Sequence, residues 1–211
     1  MPIEIFKPNE NPLGISYEDH VKNFWKLTCS FPKNKNPARR DNNGQRDEIV
    51  NQKSNSPVFY LNICCDGEGS LVERTCKVPK DKEAIFIPVM SVEVSEKEVK
   101  KDPSIDKLKK LAKEDQDSVK DLSVKLDGIE VDDIRNYRTS TDVFDLEFPQ
   151  DALFDLSEGT TQAVADGFYL ITKRPSPGTH TIELKGNLEN NKEESIDKKY
   201  SVNIKYTLEI Q

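Results

Sequence analysis

The clearest pattern along the chain is a period of two near its end. In YSVNIKYTLEI, Val202, Ile204, Tyr206, Leu208 and Ile210 fall on alternate positions. Successive side chains of a strand point to opposite faces, so this stretch predicts a strand with one buried face. That face is long and free of proline, which predicts a central place in its sheet. Leu71–Val78 alternates in the same way, with Val72, Arg74, Cys76 and Val78 on one parity. Shorter apolar or alternating runs predict further strands at Val58–Ile63, Ala84–Val94, Leu122–Leu126, Ile129–Val131, Tyr137–Ser140, Val143–Phe148, Thr161–Thr172 and Thr179–Lys185. Pro88 predicts an edge strand or a bulge, and Gly167 a bulge. Turn residues at 79–82, 127–128 and 175–178 punctuate these runs, the last predicting a hairpin.

Two stretches carry helical spacing instead. In SYEDHVKNFWKLTCSF, Ser16 is the predicted cap, with Asp19 three positions on as in a capping box. Tyr17, Val21, Phe24, Trp25 and Thr28 then mark one face, and the helix must end before Pro32. A second helix is predicted over 103–119, with Asp102 as cap, Pro103 in the first position, and Ile105, Leu108, Leu111, Ala112 and Val119 as its buried stripe. Residues 1–15 read as an extended arm, and the polar stretch 32–56 as a long loop, functional or mobile. No regular βα alternation is present. The expected fold is therefore a single domain over residues 16–211, an antiparallel β-sandwich, with the jelly roll as its narrower form, and two accessory helices.

Composition narrows the partners. The chain has 211 residues and a net charge of −7, which disfavours a nucleic-acid backbone or an anionic membrane as the main partner. No apolar run is long enough to span a bilayer, and MPIEIFKPNENPLG lacks the charged and apolar regions of a secretory signal. The expectation is a soluble chain, cytoplasmic or a mature exported domain, with no membrane insertion.

Three of the four cysteines lie in NICCDGEGSLVERTC. If residues 67–70 form a hairpin turn, Cys64 or Cys65 lies beside Cys76. A disulfide there would close a loop of about ten residues, contributing on the order of 2–3 kcal/mol. The competing reading is small buried thiols. Adjacent cysteines face opposite sides of a strand, and no Cys-x-x-Cys or metal-spaced histidine pair is present, so zinc and thioredoxin-like redox chemistry are disfavoured. No Gly-x-Ser-x-Gly elbow, Walker loop, dinucleotide fingerprint or His-Glu-x-x-His motif occurs. Calcium is the only cofactor with any footing, through Asp66, Glu68, Asp127 and Asp132 in turns, against the expectation that turn acids are simply solvated.

Four phrases, YEDHVKNFWKLTCSFP, VERTCKVPKDKEAIFIPV, VKLDGIEV and ADGFYLITKRPSPGTHTIEL, together resemble an uncharacterised family of microbial β-sandwich proteins, some of them exported. In that family a Trp-rich first helix ends in proline, an Arg-x-Cys-x-Val-Pro strand leads into an apolar strand, and an Asp-Gly-aromatic strand precedes a Pro-Pro-Gly-x-His hairpin. The resemblance spans about Tyr17 to Ile210. It implies the architecture and supplies no catalytic residue. It also implies a cysteine before Val58 as partner for Cys76, and residues 34–52 hold none.

Arg74, Glu93, Asp166 and His180 are the candidate binding residues, because each sets a titratable group among strand positions. No catalytic residue is assigned, and the balance leans away from an enzyme. The leading expectation is a binding or structural module for a protein or glycan surface, with Tyr60, Trp25, Phe168 and Tyr169 as rings that could stack on sugar. Two others stand beside it: a jelly-roll enzyme or small-molecule binder with a pocket between the sheets, and a self-assembling surface or filament subunit, a homo-oligomer whose N-terminal arm and proline-containing edge strand suit strand exchange.

Overall fold

A computed structural model of the chain describes residues 3–64, 66–192, 195–196 and 198–211. Mainly strands, it contains β1 (Val58–Tyr60), β2 (Val72–Val78), β3 (Ala84–Ser95), β4 (Val119–Leu126), β5 (Ile129–Glu130), β6 (Arg138–Ser140), β7 (Phe144–Phe148), β8 (Gly159–Lys173), β9 (Gly178–Glu189) and β10 (Lys199–Ile210). The helices are α1 (Tyr17–Cys29), α2 (Gln45–Lys53) and α3 (Ile105–Asp117).

The strands form two mixed sheets. One runs β1-β3-β8-β6, with β7 also on β8; the other runs β2-β10-β9-β4-β5. One apolar layer draws on both, with Phe59, Ile85, Ile87 and Leu170 from the first sheet and Cys76, Val124, Leu184 and Leu208 from the second. Burying each such side chain contributes about 1.5–3 kcal/mol. The final strand is central, as its alternation predicts, with β2 on one side and β9 on the other. Asp127 and Gly128, both at positive φ, form the two-residue turn of the β4–β5 hairpin.

Purely antiparallel pairing does not hold. β1 runs parallel to β3, and β2 runs parallel to β10, whereas a jelly roll is built from antiparallel neighbours. The turn at 175–178 is not a hairpin either: it carries the chain from β8 in one sheet to β9 in the other. The turn at 79–82 makes the same crossing from β2 to β3. Alternation tells which face of a strand is buried and says nothing about its neighbour.

α1 begins as predicted. Asp19 N–H donates to Ser16 Oγ at 3.1 Å, and the Ser16 hydroxyl donates to Asp19 Oδ2 at 2.8 Å. Phe24 and Trp25 bury against Phe86 and Tyr169, with Phe24 stacked on Phe86 at 5.1 Å between ring centres. α3 starts later than predicted. Ser104 is its N-cap rather than Asp102, and Val119 opens β4 rather than closing the helix stripe.

The largest correction concerns 32–56, which is not simply a loop. It contains α2, with only Val50 as a buried apolar side chain; Asp47 and Asn51 are buried with it. Polar contacts hold it in place. Asn51 Nδ2 donates to Tyr60 O at 2.8 Å and Asn51 Oδ1 accepts from Tyr60 N–H at 2.7 Å, occupying the outer edge of β1. Thr75 N–H donates to Asn43 O at 2.8 Å and Lys77 N–H to Glu48 Oε1 at 2.7 Å, covering the outer edge of β2. One segment thus covers an exposed edge of each sheet. The N-terminal arm also docks on its own chain, with Phe6 N–H donating to Ile171 O and Lys173 N–H to Glu4 O, both at 2.9 Å.

Candidate functional site

The site follows from a register shift in β3. Along AIFIPVMSVEVS, Ala84 and Phe86 face α1 while Ile85 and Ile87 face the opposite sheet. Between Pro88 and Met90 the pairing with β8 slips by one residue. The bulge predicted for Gly167 therefore lies across the sheet, in β3; Gly167 itself pairs in register with Ser91. Pro88 is tolerated inside the sheet because β1 stops opposite Phe86, leaving that edge of β3 without a strand beyond it. A one-residue slip exchanges the two faces. Val92 and Val94 consequently join Leu108 and Leu111 of α3, and Ser91 and Glu93 turn toward the α1 side.

There Glu93 lines a cavity of about 250 Å³. α1 supplies Phe24, Trp25 and Thr28, and the chain after β1 supplies Asn62 and Ile63. Phe154 and Tyr200 complete the aromatic wall. Trp25 Nε1–H donates to Tyr169 Oη at 3.2 Å, which fixes the indole in place. The connection that carries Phe154 is anchored at both ends. Lys33 Nζ donates to Asp155 Oδ1 at 2.7 Å, and Lys97 Nζ donates to the carbonyls of Ser157, Glu158 and Gly159 at 2.6–3.0 Å.

Glu93 is 3% exposed, and neither carboxylate oxygen has a hydrogen-bond partner among the described residues. The nearby Ser95 hydroxyl donates instead to Glu98 Oε2 at 2.8 Å. Burial pushes the Glu93 carboxyl well above its usual range; Glu98 adds to this and Ser95 eases it. The folded chain then holds this proton more tightly than the unfolded chain. Its contribution to stability is full below the unfolded value near 4.5 and is lost as pH rises through the folded value. Glu93→Gln stays neutral throughout. The variant should match the parent near pH 4 and exceed it by a widening margin toward pH 8. Urea unfolding at a series of pH values measures this, and parallel pH profiles for the two proteins would refute it.

The other candidates lie elsewhere. Arg74 belongs to a buried network beneath α2. Its Nη1 donates to Asn62 O at 2.6 Å and Tyr206 Oη at 2.8 Å, its Nη2 to Arg39 O at 3.0 Å, and Asp47 Oδ2 lies 3.5 Å away. Asp166 takes a bidentate pair from Arg138 at 2.8–2.9 Å, the ionic partner its burial requires. His180 Nδ1 meets Asp127 Oδ2 at 2.6 Å, and its Nε2 meets Ser176 O at 2.9 Å. Both ring nitrogens of His180 are thus engaged. Arg74, Glu93, Asp166 and His180 thus occupy four separate places. Asn62 links two of them: it lines the cavity, accepts from the Thr28 hydroxyl at 2.7 Å, and accepts from Arg74 through its carbonyl.

Cys29, Cys64 and Cys76 are buried free thiols, and Cys65 lies outside the described residues. β1 and β2 belong to different sheets, so the segment between them is not the turn of a hairpin. Asp66 pairs bidentately with Arg40 at 2.6 and 2.9 Å, Glu68 lies 3.5 Å from the same guanidinium, and Asp127 is held by His180 and Thr181 N–H. Asp132 is exposed in the connection after β5. Among the described residues no three His, Cys, Asp or Glu side chains gather as a metal site, and no helix is long and apolar enough to cross a membrane.

Tyr60, Trp25, Phe168 and Tyr169 are all buried, so none presents a free ring to an outer surface. No family model matches the chain, and no curated protein or solved structure is found to be similar to it.

Proposed function

We propose that the chain is a small-molecule binding module, an open two-layer β-sandwich whose ligand occupies the cavity between α1 and β3. One observation carries this reading: a carboxyl group without a hydrogen-bond partner among the described residues is buried in the wall of an aromatic-lined cavity. Burying such a group costs several kcal/mol unless something answers it, so a folded chain that retains one has a use for it. The size fits a compact ligand. An engineered apolar cavity of about 150 Å³ accepts benzene, and this one is about 250 Å³. Its walls follow the usual division of a ligand site, apolar and aromatic with few polar groups.

Trp25 is the only tryptophan in the chain, so its emission reports directly on occupancy. Titration with monocyclic aromatic fragments should give a saturable change. Fragments of roughly eight heavy atoms bind in the micromolar to millimolar range. Ala38 lines the same cavity, and Ala38→Phe would fill it. The filled variant should lose the response while melting cooperatively. An unaltered response in that variant, or no response to any fragment in the parent, would dismiss the proposal.

A further inference from the structure

We infer that the ligand of this cavity is a monocationic amine with an aromatic or apolar body, its ammonium group seated on Glu93; this rests on the binding-module reading. The first ground is the sign of charge. Among the described residues lining the cavity, Glu93 and Glu98 are acidic, and none is lysine, arginine or histidine.

The second ground is that three cations bonded to neighbouring segments are committed elsewhere. Arg74 lies in its own network, Lys33 on Asp155, and Lys97 on the carbonyls of residues 157–159. A buried carboxylate becomes tolerable when a cation with hydrogen-bond donors meets it, and an ammonium brings three donors. The third ground is the wall itself. Phe24 and Trp25 meet edge to face at 5.1 Å, and the Trp25 N–H is already bound to Tyr169. These rings offer π surface to a cation and apolar surface to the body that carries it.

Glu98, on the connection after β3, and the Cys29 thiol of α1 are the titratable groups that act on Glu93, while β8 opposes it with Ala165. Seating an ammonium on Glu93 favours the carboxylate, so binding near neutral pH should release a proton from this residue.

Benzylamine and benzyl alcohol share size and shape and differ in charge. Isothermal titration of both into the full chain at pH 7 should show benzylamine at least tenfold tighter. Its heat should vary with buffer ionisation enthalpy in the sense of proton release. Glu93→Gln should remove the preference and the proton release. Equal affinities in the parent, tighter binding of the alcohol, or a preference that survives Glu93→Gln would overturn the amine inference and leave the binding module standing. Failure of both compounds to bind the parent, with Ala38→Phe indistinguishable from it, would overturn the two together.

Discussion

Replacing Arg74 by alanine is expected to destabilise the fold by about 3–5 kcal/mol, the range for breaking a buried ion pair from one side. Arg74 is 1% exposed and stands in an edge strand with its side chain turned inward. The guanidinium answers two main-chain carbonyls, the Tyr206 hydroxyl and Asp47, and its plane lies 5.7 Å from the Tyr206 ring centre. Truncation removes the cation from all of them, while Asp47 keeps only neutral donors, from Asn42, Asn62 and Tyr206, and Asn62 O keeps the Tyr206 hydroxyl. Asp47 is the worst affected: burial already raises its carboxyl pKa, and Arg74 is the foremost group opposing that rise. For a domain of this size, the loss corresponds to a fall in melting temperature of roughly 6–20 °C. Calorimetry on Arg74→Ala measures it. Arg74→Met combined with Asp47→Asn should recover part of the loss, because no charge is then left alone. A melting temperature unchanged in the single variant would show that the network carries no net stability.

Gly44→Ala is expected to be comparably damaging for a backbone reason. Gly44 has φ of +110° and caps α2. A methyl group there would lie 2.1 Å from Thr75 O and 2.7 Å from Thr75 C, both main-chain atoms with little freedom to retreat. The dihedral costs of order 1–3 kcal/mol for a residue with a side chain, and the steric conflict adds about 1–3 kcal/mol. The segment before α2 should therefore lift from β2. Hydrogen exchange at the Thr75 and Lys77 amides checks this, since Thr75 donates to Asn43 before the helix and Lys77 to Glu48 in its first turn. Both amides should exchange faster in the variant, and unchanged protection would refute the expectation.

Much of this architecture is readable from local pattern. The alternation of Val202 to Ile210 identifies a central strand, and Ser16 with Asp19 marks the start of α1. Both signals are local physics that the tertiary fold reinforces. α2 escapes such reading because its stability lies in Asp47 and Asn51, polar side chains whose partners come from β1, β2 and β10. No hydrophobic period announces a helix held by its hydrogen bonds to other elements. Glu93 is readable as a titratable residue in an apolar strand. Its place in a cavity is not, because the shift at Pro88–Met90 decides which face it takes. Proline 88 points to that irregularity without giving its consequence. The lack of convergence among Arg74, Asp166 and His180 is equally invisible, since each found a local partner that spacing cannot reveal.

The parallel pairing of β2 with β10 has a kinetic consequence. Val72 aligns with Ile204 and Val78 with Ile210, so β2 is synthesised well before its mate and waits while β3 to β9 are made. Until then its inward alternating face must be sheltered by transient collapse or by a chaperone. Closing so long a loop delays the reward of contact, which places this chain among slow, nonlocal folders. Truncation anywhere before residue 199 would leave the second sheet divided, with β9 and β2 lacking the strand that joins them.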